Sequence, residues 1–138
     1  MIVLPHDASD EAILAMVERW VDALATRDYA GAAAMLTQDG NERDWPPGLV
    51  EEVISGYEAP GGPSPSRVTP RAAARQELTT GPSAEVTRWA RPRARPEVAG
   101  TVEYDLPLNG TWSDLTAIFW IRRLPQGLAL ELYDIHIL

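Results

Sequence analysis

Apolar residues recur every three or four positions in the first part of the chain and every two positions in its last third, which orders helices before strands. Ile13, Met16, Val17, Trp20, Val21 and Leu24 predict an amphipathic helix over 8–26, with Glu11, Glu18, Arg19 and Asp22 on its polar side. Asp7 is placed to cap it, and Asp10 to favour its dipole. A shorter helix follows a second cap, Asp28, with Tyr29, Ala32, Ala33 and Leu36 on its narrow apolar edge and Gly40 at its end. After the polar turn DGNERDWPP, a third helix is expected at about 47–57, with Leu49, Val50, Val53, Ile54 and Tyr57 on one side.

The segment 59–70 is rich in proline, glycine and serine and reads as a surface loop. Residues 71–78 fit a helical turn or an edge strand equally, so the path of 59–80 stays open. From Ala84 the period is two. Strands are expected near 84–91, 97–106, 114–123 and 127–137, joined in part by the turns Asn109-Gly110 and Pro125-Gln126-Gly127. The last strand carries a conflict of phase: Leu128, Leu130 and Leu132 define one face, and Tyr133, Ile135 and Ile137 the other. A bulge at Leu132–Tyr133 would keep both apolar sets inward and turn Asp134 and His136 outward; a regular strand would aim that pair at the interior. The expected class is α+β: three N-terminal helices packed on a curved, cone-like antiparallel sheet of four or more strands, as one domain over 1–138.

The chain has no cysteine and no lysine, which excludes thiolate chemistry and lysine Schiff bases. The net charge of −8 argues against nucleic acid as a general partner. The charge is uneven: seven arginines between Arg67 and Arg95 against Glu77 and Glu85 give +5 there, leaving −13 elsewhere. RWARPRAR, residues 88–95, reads as a strand end and exposed loop before it reads as a phosphate patch. No apolar run approaches the roughly 18 residues of a membrane span, and MIVLPHDASDE lacks the features of a leader, so the expectation is a cytoplasmic protein without membrane attachment.

Candidate chemistry is sparse. Asp134 and His136 stand two apart on a strand, hence on one face, and are the best acid–base pair; Asp114 is a third catalytic candidate. Tyr104, Asp105, Asp114 and Asp134 contain the residue types an enolate-stabilising isomerase needs, although Asp105, Asn109 and Asp114 suit the hairpin turn better. Asp39, Asn41 and Asp44 begin like a calcium loop, but Arg43, Asp44 and Val50 occupy positions that need a ligand, a glycine and a glutamate; no metal or cofactor is expected. Gly61-Gly62 lies among prolines and is no phosphate loop.

The order of elements, with a helix pair ending in RDYAGAAAML, resembles the nuclear transport factor 2-like cone, also seen in SnoaL-like and ketosteroid-isomerase-like proteins. VEYDLPLNGTWSDLTAIFWIRR and LALELYDIHIL are similar to a bacterial family with a DLPLNG-x-WSDLTA turn and a final D-I-H strand. The resemblance implies the cone and assigns no activity. Three function classes follow. The first is a small-ligand-binding cone with an apolar pocket lined by Trp20, Tyr57, Tyr104, Phe119 and His136. The second is a partner-binding, inhibitor- or immunity-type module whose acidity steers it to a basic protein. The third, placed last, is an isomerase, cyclase or dehydratase with a carboxylate or His136 as base. A homodimer through Trp112, Ile118 and Trp120, aligned on the face opposite Phe119, is also expected.

Overall fold

The computed structural model describes residues 1–38, 44–58, 62, 65–77, 82–90 and 96–138. Gly40, Gly61, the Asp39, Asn41 and Arg43 positions of the calcium-loop template, and 91–95 of the arginine-rich stretch lie outside the described residues. Among the described residues the architecture is α+β, with three α-helices followed by a four-stranded antiparallel sheet of order β1-β2-β3-β4 that does not close. No helix among the described residues is long and apolar enough to cross a membrane.

Helix α1 spans Asp10–Ala25. Its cap is Ser9, whose Oγ accepts the Ala12 N–H at 3.1 Å, and not Asp7. A turn closed by Ala8 N–H on the Pro5 carbonyl at 3.0 Å holds Asp7 outside the helix and starts it later than the sequence predicts. The predicted apolar face of α1 is buried throughout. Helix α2, Tyr29–Ala34, is capped as expected by Asp28, which accepts the Gly31 N–H at 2.9 Å. Helix α3, Pro47–Ser55, begins on a proline whose missing N–H would have no partner in the first turn. Arg71–Ala73 form a single 3-10 turn, and Arg75 then bridges Thr111, so the ambiguous stretch contributes both a turn and an edge contact.

Strand β1 is Ala84–Arg88, β2 Val98–Leu108, β3 Thr111–Leu124 and β4 Gly127–Ile137. Asn109 and Gly110, at φ 55° and 80°, make the tight turn between β2 and β3. Leu115, Ala117, Phe119 and Ile121 alternate into the core from β3, beside Val102 and Tyr104 of β2. The β4 phase conflict is resolved by the predicted bulge: Ile118 stands opposite Asp134 and Phe119 opposite Leu132, leaving Tyr133 as the extra residue. Leu128, Leu130, Leu132 and Ile135 are all buried, but Tyr133 and Ile137 are exposed, so the bulge brings only Ile135 of the second apolar set inward and not the whole set as the pattern predicts. The edge of β4 is partly covered, since Leu4 pairs with Leu128 in both directions at 2.8 Å and Thr37 N–H donates to Leu130 O at 2.8 Å.

A second irregularity changes an expectation. Between the pairs Asp105–Thr116 and Pro107–Trp112, β3 carries Ser113, Asp114 and Leu115 against Leu106 alone. The Ser113 hydroxyl donates to the Leu106 carbonyl at 2.7 Å, and the Leu115 N–H is directed at 3.2 Å to Ser113 Oγ. Trp112 is thereby re-aimed toward Tyr104, its ring 6.2 Å away, on the side of α1. It does not continue the line of Ile118 and Trp120.

Candidate functional site

The residues expected to share one apolar pocket stand in four different places. Trp20 and Phe119 are core: their rings meet edge to face with centroids 5.0 Å apart, both essentially without solvent exposure. Between Trp20, Leu24, Leu36, Trp45 and Leu132 the free space is about 10 Å³, hardly room for one water.

Tyr104 belongs to a polar cluster built from α1 and the 3-10 turn. Its hydroxyl donates to Glu18 Oε2 at 3.2 Å. Arg71 donates from Nη1 to Glu18 at 2.7 Å and in a fork to Asp22 at 2.8 and 3.0 Å. The Asp22 hydrogen bonds hold the guanidinium still more firmly protonated than usual, while burial and the Glu18 charge push the Tyr104 phenol up to about 12. Together with Pro70 and Trp112 these side chains line an open cleft of about 370 Å³. Glu18 and Asp22 are one helical turn apart on α1, a signal visible in the sequence; their partner Arg71 is not, because it lies 53 and 49 residues away.

Tyr57, just beyond α3, donates its hydroxyl to Asp114. Burial first, then the hydrogen bond and charge of Asp114, push this phenol up to about 12. Asp114 therefore serves a tertiary contact in addition to its place in the irregular stretch. Asp105 is buried, accepting from Ser83 N–H at 2.7 Å and Thr116 Oγ1 at 2.7 Å.

Asp134 and His136 come together on the sheet face away from Phe119. Asp134 Oδ2 lies 2.8 Å from His136 Nδ1, and its Oδ1 accepts the Ile135 N–H at 2.9 Å. With the ring proton on Nδ1, Nε2 is left as an acceptor. The neighbours on this face follow from register. One row across the four strands is Glu85, Glu103, Ile118 and Asp134; the next is Thr87, Thr101, Trp120 and Glu131. Trp120 stacks on Tyr133, with centroids 4.7 Å apart and planes within 12°. Trp120 and Ile118 are half-buried, and Tyr133 is 41% exposed. An aromatic centre with carboxylates on both sides is the result. Beside it, Arg122 and Glu131 form a nearly buried ion pair at 3.2 Å.

Comparisons with protein-family models, with curated proteins and with solved structures find no match to this chain.

Proposed function

We propose that this chain is a partner-binding module that uses the sheet face of Ile118, Trp120 and Tyr133 to hold a basic protein surface. The supporting observation is the cross-strand pair Glu85–Glu103. Like charges directly opposite each other on neighbouring strands destabilise a sheet, by roughly 0.2–1 kcal/mol. Arginines or lysines from a partner would offset that repulsion and stack on the exposed Tyr133 ring of the Trp120–Tyr133 pair. An aromatic centre within a charged rim is the usual anatomy of such a surface. The net charge of −8 adds long-range attraction for a basic partner. A second copy of this chain fits the face less well, because two-fold pairing would set two carboxylate-rimmed faces of the same charge against each other. The order of three helices and a four-stranded antiparallel sheet is compatible with the nuclear transport factor 2-like cone, which is part of this reading.

The test is a titration of isotope-labelled protein with a polyarginine peptide, read at the Trp120 indole and the Glu103 and Tyr133 amides. Saturable, salt-sensitive shifts centred on this face are expected, weakened at least several-fold by Glu85→Gln with Glu103→Gln. The same double variant should be slightly more stable than the natural chain. Shifts centred on the acidic side of α1, or unchanged affinity in the double variant, would remove the proposal. Light scattering that shows a dimer broken by Trp120→Ala would transfer the face to a second copy.

A further inference from the structure

The turn between α1 and α2 carries a residue that its backbone does not favour. Arg27 N–H donates to Leu24 O at 3.0 Å and Asp28 N–H to Ala23 O at 2.9 Å, the closing pattern that puts the residue after the helix cap in the left-handed region. Arg27 sits there at φ 62°, where glycine is the least strained choice. Its side chain lines a cleft of about 460 Å³ between the helices and the segment at 65–67.

Arg67 lines the same cleft, with Tyr29, Glu51, Ser55 and Asn109. The Asn109 turn fixes this wall. Arg67 N–H donates to Asn109 Oδ1 at 3.2 Å, Asn109 N–H to Arg67 O at 3.1 Å, and Asn109 Nδ2 to Ser66 Oγ at 3.1 Å. Ser66 is buried and donates in turn to the Tyr57 carbonyl at 2.7 Å. Arg71, Arg88 and Arg122 are each committed to a carboxylate. Among the described residues, neither Arg27 nor Arg67 has a carboxylate within ion-pair distance. Burial and then Glu51 raise the Tyr29 phenol, while Arg27 lowers it, so the three groups share one electrostatic environment.

We infer that this cleft binds a small oxyanion, a carboxylate or phosphate monoester, clamped by Arg27 and Arg67, with an amino group of the same ligand facing Glu51. Two guanidiniums supply forked donors matched to oxyanion geometry, on a wall already ordered by Asn109. Glu51 makes the cleft unsuited to a bare polyanion and suited to a ligand with a positive end.

The experiment titrates isotope-labelled protein with inorganic phosphate, acetate and phosphoethanolamine, reading the Arg27, Arg67 and Asn109 signals. Saturable shifts at these residues are expected, tightest with phosphoethanolamine. Acetate against phosphate identifies which oxyanion the clamp prefers, and saturation by either supports the site. Arg27→Gly and Arg67→Gln should each weaken binding by roughly tenfold or more, the usual consequence of losing charge-assisted hydrogen bonds. Glu51→Gln should remove the preference for phosphoethanolamine over phosphate. Arg27→Gly separates lost binding from lost folding, because glycine relieves the left-handed backbone and the melting temperature should hold or rise. Failure of all three probes to saturate these signals, or wild-type affinity in Arg27→Gly, would overturn the inference.

Discussion

The indole of Trp20 meets the ring of Phe119 at a right angle, with centroids 5.0 Å apart, and this contact joins α1 to the middle of β3. Both side chains are fully buried, so neither can be truncated without leaving a void. Trp20→Ala should cost about 3–5 kcal/mol, in the range of large aromatic deletions from cores. Urea denaturation followed by circular dichroism measures it. A loss under about 1 kcal/mol would mean that the site collapses around the missing ring and that this contact does not anchor α1.

Tyr133 is the extra residue of the β4 bulge, and its removal is therefore a clean test of register. Without it, Leu132 and Ile135 still alternate inward around Asp134. What is lost is the Trp120 stack and the bond from Trp45 Nε1 to the Tyr133 carbonyl at 3.1 Å. Deleting Tyr133 should cost about 2 kcal/mol, the sum of an aromatic pair and one hydrogen bond. Deleting Leu130 instead would swap the two faces over part of the strand and should prevent folding. Thermal unfolding of the two deletions, compared side by side, checks the difference.

Legibility followed the range of the interaction. The buried face of α1 and the bulge in β4 were readable because each is a phase relation within one segment. Trp112 was not, since counting by twos from Ile118 assumes a regular strand, and the Ser113 hydroxyl breaks the ladder by taking the Leu106 carbonyl. The cap of α1 moved from Asp7 to Ser9 because a turn from Pro5 to Ala8 precedes the helix. Asp134 and His136 were paired from their spacing, and they do meet at 2.8 Å. The Arg71 cluster and the Arg27–Arg67 cleft join segments about 40 to 50 residues apart, for which one sequence holds no local signal.

Alkaline stability should report the two raised tyrosines. Tyr57 and Tyr104 are pushed from 10.0 up to about 12 in the folded chain, each beside a carboxylate that accepts its hydrogen bond. The neutral phenols are thus favoured by folding. Their contribution is complete below pH 10 and is lost as the pH rises toward about 12, because the unfolded chain releases these protons first. Tyr57→Phe with Tyr104→Phe should start less stable and decline less across that window. Urea midpoints measured through the window decide this, and an equal decline in both proteins would place the alkaline loss elsewhere.

Arg122 and Glu131 give the last prediction. They stand diagonally on adjacent strands, Arg122 opposite Ala129 and Glu131 opposite Trp120, with Nη1 3.2 Å from Oε1 and exposures of 8% and 2%. Arg122 Nε is also buried, with no hydrogen-bond partner among the described residues. Desolvating a guanidinium to this degree costs several kcal/mol, and the pair recovers that only while both charges remain. Glu131→Leu should therefore destabilise by about 3–5 kcal/mol, because it strands a buried cation. Arg122→Met with Glu131→Leu should recover much of that loss, since apolar groups of similar volume require no compensation. A double-mutant cycle by denaturant unfolding isolates the coupling. Additive single losses would show that the two side chains are held independently. Recovery in the double variant would show that the pair's own attraction offsets a desolvation it created, and that these diagonal positions could be filled with less strain by carbon.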